Sequence, residues 1–159
     1  MTAGPELIPA LPEQMLVLDN LLQLYAHDFS EFHAVEMDEV GRFQYHQLPL
    51  YWQEAGRHPF LIRVDGQWAG FVLVKQDAGV WDVAEFFVLR RFRRRKIGML
   101  VAHLVWRRFA GPWTVRVMVA NHTAVRFWAR ALAQFMGREV APERMDGEWW
   151  RFGFSTAEK

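Results

Sequence analysis

The feature of the sequence that most restricts the fold is a strand pattern that runs through a basic turn directly into a helix pattern. Residues Val80–Leu89 are rich in β-branched and aromatic side chains, which favour a strand. Six of the seven residues Arg90–Lys96 are basic. Beyond them, apolar residues recur at positions 97, 100, 101, 104 and 105, the spacing of an amphipathic helix. A strand that passes straight into a helix predicts a mixed α and β domain.

This basic turn is also a candidate anion-binding site. The first backbone N–H groups of a helix have no partner inside the helix and carry about half a unit of positive charge. Gly98, near the start of the predicted helix, would let an anion approach these groups, and the pyrophosphate of a nucleotide suits such a turn. The alternative is a solvated basic turn that binds nothing.

Length and composition exclude several classes of protein. At 159 residues the chain has the size of one globular domain, predicted to span 1–159. A hydrophobic share of 52% excludes a disordered chain. The longest stretch without Asp, Glu, Lys or Arg is Phe43–Gln53, eleven residues, whereas about twenty are needed to cross a membrane. Met1–Leu16 lacks a basic segment followed by a long apolar run, so we expect no secretory signal and a soluble cytoplasmic protein.

The residue types present also limit the chemistry. The chain has no cysteine, which excludes disulfides, a thiolate nucleophile and cysteine-ligated metal centres. Its His, Asp and Glu residues show no metal-ligand spacing, so we predict no metal. Residues 1–60 hold nine acidic and two basic residues, whereas residues 61–159 hold nine acidic and seventeen basic ones. This asymmetry indicates a basic region that meets an anion, either phosphate on a small cofactor or a nucleic acid.

The rest of the pattern predicts alternating helices and strands without internal repeats. An Asp-Gly pair joins two β-rich runs and suits a tight hairpin, because such a turn needs positive φ at both central residues. In the strand at 80–89, simple alternation puts Trp81, Val83, Glu85 and Phe87 on one face. The other predicted elements are a helix at Met15–Phe29, a short helix at Leu48–Ala55, strands at Phe60–Val64, Gln67–Lys75 and Trp113–Val119, a helix capped by Asn121, and weak strands around Arg138–Ala141 and Glu148–Phe154.

The basic turn resembles a known signature. Phe92-Arg-Arg-Arg-Lys-Ile-Gly98 is similar to the acyl-CoA signature of the GNAT superfamily of N-acetyltransferases, which is Arg/Gln-x-x-Gly-x-Gly/Ala after an aromatic residue and a strand. Arg93 matches the first position of the signature and Gly98 the last. Lys96 stands where the family usually has its first glycine, and a lysine there could add a charge-assisted contact to a phosphate.

A second stretch, downstream, resembles the same family. Residues 115–120 followed by Asn121-His-Thr-Ala-Val-Arg-Phe-Trp128 are similar to the family's strand and its Asn-x-x-Ala-x-x-Phe-Tyr/Trp motif. Together the two motifs cover residues 81–135. The resemblance implies an α+β (mixed α/β) fold, in which a central mixed, mostly antiparallel sheet is splayed between two middle strands and flanked by about four helices.

The resemblance also implies an activity. The chain would be an N-acetyltransferase that moves an acetyl group from acetyl-CoA to a primary amine, by direct attack in a ternary complex. The CoA arm would lie in the gap between the splayed strands. The residues that the resemblance implies for cofactor binding are Phe87, Val88, Arg93, Arg94, Arg95, Lys96, Ile97, Gly98, Met99, Asn121, Ala124, Phe127 and Trp128.

Catalytic groups are expected on the strand that leads into the turn. By the resemblance, a backbone N–H around Phe87 or Val88 holds the oxyanion of the tetrahedral intermediate. Glu85 is the candidate general base, because a carboxylate among apolar neighbours has a raised pKa, and the alternative is an ion pair with Arg116. The family often has a tyrosine as general acid where this chain has Trp128. Either Trp128 is a core aromatic, or water or another group protonates the leaving thiolate.

Four histidines are alternative bases, although a histidine in such a position is more often a surface residue than a catalytic one. His27, His33 and His46 lie in the acidic N-terminal part of the chain, where the family builds its acceptor site. His122 follows Asn121 at a predicted helix start, where the helix dipole would lower its pKa.

The acceptor is expected to be cationic. Acidic residues crowd the segment that in the family lies over the acyl end of CoA. These residues are Asp28, Glu31, Glu36, Asp38 and Glu39. A polyamine, an aminoglycoside-like molecule or a lysine side chain is therefore our hypothesis for the acceptor, and a solvated acidic face is the alternative.

Other functions and partners stay open. A non-catalytic CoA-binding member of the same fold is one. A nucleic-acid-binding module that uses the basic turn with Arg107, Arg108 and Arg126 is another, but no recognised motif accompanies these residues and the N-terminal third is acidic. No membrane partner is expected. Trp149 and Trp150 would indicate a homodimer interface if they are exposed, although tryptophan is as often a core residue.

Overall fold

The computed structural model describes residues 3–158, so Met1, Thr2 and Lys159 of the predicted 1–159 domain lie outside the described residues. The strands and helices are, in chain order, β1 Glu6–Pro9, α1 Met15–Phe29, β2 Arg57–Val64, β3 Gln67–Asp77, β4 Val80–Val88, α2 Ile97–Arg108, β5 Pro112–Met118, α3 His122–Met136, β6 Glu143–Arg144 and β7 Trp149–Ser155. Short 3₁₀ turns occur at Pro12–Gln14, Leu48–Trp52, Arg90–Phe92 and Thr156–Glu158.

Within the described part of the chain, seven strands form one sheet in the spatial order β1-β2-β3-β4-β5-β7-β6. Every neighbouring pair is antiparallel except β4 and β5, which are parallel. Over residues 3–158 three α-helices accompany the sheet, together with the four short 3₁₀ turns. The predicted α+β fold with a mixed, mostly antiparallel sheet is confirmed, with three α-helices where about four were expected.

Local sequence signals explain several element boundaries. Asp65 and Gly66 have φ of 51° and 77°, the positive values that the tight β2–β3 hairpin requires. The side chain of Asn121 accepts a hydrogen bond from the backbone N–H of Ala124 at 3.1 Å, which caps the start of α3. Gly137 ends α3 with φ of 71°, a left-handed conformation that glycine adopts without strain.

Three elements differ from the sequence-based prediction. The helix expected at Leu48–Ala55 is only a 3₁₀ turn that ends at Trp52. The strand expected around Arg138–Ala141 is wrong, because the Asp-Gly turn at 146–147 sets the register of the last hairpin and pairs β7 with Glu143–Arg144 instead. The edge strand Glu6–Pro9 was not predicted, since four residues with a proline are too short for a clear alternation.

Apolar side chains form two clusters, one on each face of the sheet. α2 and α3 cover one face, where Trp106, Trp113 and Phe152 are fully buried. α1 and the turn that contains Leu48 cover the other face, where Leu18 and Phe71 are fully buried. Buried apolar side chains of the central strands therefore pack either under α2 and α3 or under α1.

β4 contains a β-bulge half-way along its length. Val83 pairs with Val74 of β3, whereas Glu85 pairs with Leu73, so Ala84 is an extra residue without an opposite partner. A bulge of this kind bends the strand and re-aims the side chains that follow it. It lies in the middle of the sheet, next to the residue that the sequence analysis proposes as a base.

The bulge changes the face on which β4 side chains lie. Before it, Trp81 and Val83 pack in the cluster under α2 and α3. After it, Phe87 packs in the cluster under α1. The predicted common face of Trp81, Val83, Glu85 and Phe87 is therefore wrong, because the extra residue interrupts the two-residue period of the strand.

β4 and β5 separate soon after they meet. Their parallel pairing consists of two register pairs, Trp81 with Trp113 and Asp82 with Thr114. Beyond these pairs the described residues of the two strands are not paired with each other, which opens a V-shaped gap in the middle of the sheet. The separation of the two middle strands that the resemblance implied is therefore present. Among the helices described here, none is long and apolar enough to cross a membrane.

Candidate active site

Glu85 lies beside the gap between β4 and β5. Its carboxylate accepts a hydrogen bond from the hydroxyl of Tyr25, which belongs to α1. The side chain of Glu85 is therefore on the α1 side of the sheet, as the bulge at Ala84 requires. It is partly buried. A carboxyl group is thus held in a fixed orientation at the point where the central strands diverge.

Burial raises the pKa of the Glu85 carboxyl to about 7, because removal of water disfavours the charged form. The hydrogen bond from Tyr25 and the positive charge of Arg116 act in the opposite direction and are weaker. Burial also raises the pKa of Tyr25 and of Tyr45, so both phenols stay protonated. A group with a pKa near 7 is suited to accept a proton at neutral pH.

An open cleft of about 440 Å³ lies next to Glu85. Its walls come from the loop before the Leu48–Trp52 turn and from β3, β4 and β5. The lining residues are Gln44, Tyr45, His46, Gln47, Lys75, Ala84, Glu85 and Arg116. The cleft therefore exposes the candidate base to a molecule bound from the solvent side.

All three tyrosines of the chain surround this carboxyl group. Tyr25 donates the hydrogen bond to it, whereas Tyr45 and Tyr51 interact with it electrostatically. The sequence analysis missed these residues, because no spacing in the sequence connects positions 25, 45 and 51 with Glu85. Only the packing of α1 and the 44–52 segment onto the sheet brings them together.

The alternative role of Glu85, an ion pair with Arg116, is not the one that the structure shows. Arg116 Nη2 lies 2.9 Å from Asp82 Oδ2, and Lys75 Nζ lies 4.0 Å from the same oxygen. The hydroxyl of Thr114 donates to the other carboxylate oxygen of Asp82 at 3.3 Å. Asp82 is thus the carboxylate that these two cations share, and Glu85 keeps its hydrogen bond from a neutral phenol.

The basic turn has an unusual backbone. Arg94 and Lys96 have φ of 62° and 60°, values in the left-handed region that favours glycine. Lys96 is the residue immediately before the first residue of α2, Ile97. Left-handed residues just before a helix allow successive N–H groups to point toward one place, as in anion-binding concavities.

The side chains of the turn are partly occupied by protein groups. Arg93 Nε donates to the backbone carbonyl of Val88 at 2.7 Å, and its Nη2 donates to Asp28 at 2.8 Å. Arg90 donates to the other carboxylate oxygen of Asp28 at 2.7 Å. Arg95 lies 3.6 Å from Asp65. Asp28, at the end of α1, therefore holds the turn against the rest of the domain through two arginines.

The start of α2 closely approaches α3. A Cβ atom at Gly98 would lie 3.1 Å from the ring of Phe127, so a larger residue there would crowd both helices. The ring of Phe127 also lies 5.8 Å from that of Phe86 on β4. Ile97 is buried, whereas Met99 and Ala124 are partly buried against the same cluster. The predicted cofactor-binding residues of the two motifs are thus brought together around one end of the gap.

Backbone geometry distinguishes the two candidate oxyanion donors. Leu89 donates its N–H to the carbonyl of Ala69 on β3 at 2.8 Å, and Val88 lies opposite Gly70. Opposed residues of an antiparallel pair alternate between hydrogen-bonded and non-hydrogen-bonded pairs. The N–H of Val88 therefore points away from β3, toward the gap, whereas that of Phe87 points toward β3.

Comparison with known proteins identifies the family. A model of the acetyltransferase (GNAT) family matches residues 18–133, which is more than half of the chain. The chain belongs to this family. No curated protein has a sequence significantly similar to it.

Three solved structures illustrate the likeness. An acetyltransferase from Thermus thermophilus superposes with a TM-score of 0.74 at 14% identity, covering 98% of this chain and 99% of that chain. The spermidine N-acetyltransferase from Vibrio cholerae in complex with CoA and spermine gives 0.68 at 11% identity, covering 97% and 96%. The PaiA N-acetyltransferase from Thermoplasma acidophilum in complex with coenzyme A gives 0.68 at 12% identity, covering 96% and 99%. At these identities the likeness shows the fold alone.

Two residues depart from the GNAT motifs, and the structure shows the surroundings of each. Lys96 replaces a glycine at a position whose φ of 60° favours glycine. Trp128 replaces the frequent tyrosine and is 7% exposed, within the cluster under α2 and α3, so it is a core aromatic. The ring of Phe87 is buried in the other cluster, beside Tyr25. The contact of Phe87 with a cofactor stays a prediction.

Of the four histidines considered as bases, His46 lines the cleft and the others lie elsewhere. His27 and His33 are at the end of α1 and just beyond it, where the ring of His33 is 5.9 Å from that of Phe29. His122 is exposed at the first turn of α3.

The acidic residues considered for the acceptor do not line the cleft. Asp28 pairs with two arginines of the turn, and Asp38 accepts hydrogen bonds from Gln44 and from the backbone of Arg42. Glu31, Glu36 and Glu39 are exposed. Trp149 and Trp150 are partly buried rather than exposed.

Proposed function

We propose that this GNAT protein is an N-acetyltransferase that moves an acetyl group from acetyl-CoA to a primary amine. The observation that carries the proposal is a carboxyl group with a pKa near 7, Glu85, at the opening between β4 and β5. The acetyltransferase complexes with CoA that share this fold support it. We further propose that residues 1–159 form one domain and that it acts in the cytoplasm on acetyl-CoA and an amine, without nucleic acid, membrane or metal.

The turn before α2 would hold the pyrophosphate of CoA. Backbone N–H groups of residues 96–99 are available at the helix start, and the left-handed Lys96 lets them converge. The exposed side chains of Arg94, Arg95 and Lys96 would add charge-assisted contacts to phosphate oxygens. The pantetheine arm would then lie in the gap, between β4 and the start of α3 with its Asn121 cap and Phe127.

Glu85 would act as the general base. A primary amine of pKa about 10.4 is neutral in only about one molecule in 2,500 at pH 7, a cost of about 4.6 kcal/mol. Glu85, half ionised near pH 7, takes the amine proton as the nitrogen attacks the thioester carbon. A C–N bond forms, the C–S bond breaks, and the leaving thiolate takes a proton from water, because the indole N–H of Trp128 is too weakly acidic to supply one. The products are the acetamide and free CoA.

Val88 would stabilise the tetrahedral intermediate. Its N–H points into the gap, away from β3, where the thioester carbonyl of a bound acetyl-CoA would lie. A backbone donor held by a sheet needs no reorganisation when charge develops on that oxygen. The hydrogen bond from Arg93 to the Val88 carbonyl fixes the orientation of the same residue.

Binding and turnover can be tested separately. Calorimetric titration should detect acetyl-CoA binding to the wild type. Glu85→Gln should bind acetyl-CoA unchanged but lose about 10²- to 10⁴-fold in kcat with an amine acceptor, because only proton transfer is removed. Gly98→Leu should weaken acetyl-CoA binding, since the new side chain meets Phe127. Gly153→Leu is the matched control, because Gly153 of β7 has open space around it.

Each failure of this experiment has a distinct meaning. Absence of acetyl-CoA binding to the wild type would contradict the proposed function. Binding without acetylation of any amine would instead favour a non-catalytic CoA-binding protein. Full activity of Glu85→Gln would keep the enzyme but remove Glu85 as the base.

A further inference from the structure

The cleft beside Glu85 contains two cations that share one anion. Lys75 of β3, Asp82 of β4 and Thr114 of β5 lie in register across three strands, at the last pair before β4 and β5 separate. Lys75 and Arg116 both contact the same carboxylate oxygen of Asp82, and both also line the cleft. Asp82 itself is 7% exposed and lies beneath them.

Lys75 and Arg116 carry two positive charges and Asp82 carries one negative charge, so one positive charge beside the cleft is not balanced by Asp82. The side chains of Arg116 and Lys75 are 45% and 31% exposed, so their charged ends reach the solvent of the cleft. The remaining acidic group of the cleft, Glu85, is partly neutral at pH 7 because its pKa is about 7. A cationic molecule in the cleft would meet two like charges, whereas an anionic group would meet complementary ones.

No acidic residue of the first sixty is among the residues that line this cleft, although Asp38 accepts a hydrogen bond from Gln44 of its wall. Asp28 is bound by Arg90 and Arg93 on the side of the phosphate turn. Asp19 pairs with Arg42 at 2.7 Å and lines a neighbouring cavity instead. The charge of the whole segment therefore does not describe the charge that an acceptor would experience beside Glu85.

We infer that the acceptor is a primary amine that also carries a carboxylate, an amino acid, and that Arg116 and Lys75 bind this carboxylate while the amine faces Glu85. The inference rests on the proposed function, because it concerns the acceptor of the same reaction. A guanidinium binds a carboxylate through two parallel hydrogen bonds, and within residues 3–158 Arg116 donates one hydrogen bond, to Asp82. A cleft of about 440 Å³ has the size of a small-molecule site.

The carboxylate and amine of one amino acid suit this arrangement of charges. Arg116 and Lys75 both act electrostatically on Glu85, so an anion held by them and an amine beside Glu85 would be near neighbours. Binding of the carboxylate positions the nitrogen for attack, and positioning of this kind lowers the barrier of a two-substrate reaction. A carboxylate also offsets the positive charge that would otherwise repel a protonated amine on its way into the cleft.

The first test compares matched acceptors on the wild type at saturating acetyl-CoA. Free amino acids are compared with their carboxamides, which keep the amine and lose the negative charge, and with spermidine and aminoalkyl phosphates. We expect kcat/KM for at least one amino acid to exceed that of its carboxamide by about 10- to 100-fold, the range of charge-assisted hydrogen bonds. Equal or higher kcat/KM for the carboxamides, for spermidine or for the phosphates would overturn the inference.

The second test locates the carboxylate. Arg116→Gln and Lys75→Gln should raise KM for the amino acid and leave the carboxamide little affected, so that the preference for the acid disappears. Measurement at pH 8.5, above the wild-type pKa of Glu85, and comparison of the acid with its carboxamide in the same variant separate substrate binding from a change in that pKa. Arg63→Gln is the matched control, because Arg63 also pairs with a single carboxylate, Glu6, but belongs to β2. A preference that survives in both cleft variants would overturn the inference.

Calorimetry with acetyl-CoA on the same samples separates this inference from the proposed function. Binding of acetyl-CoA together with acetylation of cationic amines alone would leave the enzyme assignment intact and make the amino-acid inference wrong. Binding without acetylation of any amino acid would also make it wrong. Loss of acetyl-CoA binding in the wild type would instead remove the proposed function itself.

Discussion

The basic turn, residues 90–98, follows the end of β4, whereas the cleft lies beside Glu85 near the middle of the same strand, and the two regions are built in opposite ways. The turn is one continuous segment whose expected contacts come mainly from backbone N–H groups and exposed basic side chains. The cleft is assembled from the 44–47 loop, β3, β4 and β5, around a partly buried carboxyl group. In the proposed function the turn would bind through its local conformation, whereas the cleft would acquire its chemistry from burial and from neighbours distant in sequence.

The two regions should respond differently to substitution of their side chains. The charges of the turn are exposed and shared with Asp28, so no single basic side chain should be indispensable. The cleft depends on one carboxyl group whose pKa is set by its surroundings, so small changes around Glu85 should have large effects.

The largest effect should be a pH-dependent cost of Glu85 to stability. The folded pKa of about 7 lies above the ordinary value of 4.5, so the folded state binds the proton more tightly. The contribution of Glu85 to the free energy of unfolding is therefore greatest below pH 4.5. It falls by about 3 kcal/mol as the pH rises from 4.5 through 7. Glu85→Gln should remove this loss, which urea unfolding at pH 5 and pH 8 would measure. A pH-independent difference between the two proteins would contradict the raised pKa.

A somewhat smaller effect is expected from substitution of Gly70, the residue of β3 that lies opposite Val88. A Cβ atom there would lie 1.9 Å from the carbonyl oxygen of Phe87, so β4 must shift to admit it. We expect Gly70→Ala to lower the free energy of unfolding by about 1–3 kcal/mol and to lower kcat as well, because the N–H of Val88 moves with the strand. Gly153→Ala, at an open position of β7, should be close to neutral. Equal losses in the free energy of unfolding for Gly70→Ala and Gly153→Ala would show that the close approach of Gly70 to the Phe87 carbonyl is not important.

The smallest effect should come from the turn. Lys96 has φ of 60°, so Lys96→Gly relieves backbone strain of about 1 kcal/mol and should stabilise the protein slightly. Acetyl-CoA should still bind, because the backbone N–H groups remain. Arg95→Gly, at a neighbouring position without positive φ, should give no such gain. A large loss of acetyl-CoA affinity in Lys96→Gly would show that its side chain, and not the main chain, carries the binding.

The same contrast explains what the sequence could predict. The elements of the fold follow from local patterns, such as the Asp65-Gly66 turn and the Asn121 cap, and the phosphate turn is itself a contiguous motif. The faces of β4 could not be predicted, because the bulge at Ala84 has no sequence signal and reverses the alternation. The partner of Glu85 could not be predicted either, since Tyr25 lies sixty residues away on another element. The pairing of Arg116 with Asp82 follows from the parallel register of β4 and β5, which is a tertiary property.

The central claim, that Glu85 is the base of an acetyl transfer, is tested most directly by the pH dependence of kcat/KM for the acceptor. At saturating acetyl-CoA, we predict that the wild-type value rises through a pKa of about 7, as Glu85 ionises, before the separate and higher limb of the amine itself. The same profile of Glu85→Gln should lack the limb near pH 7. A limb that stays at pH 7 in Glu85→Gln would contradict the account, because another group would then be the one that accepts the proton.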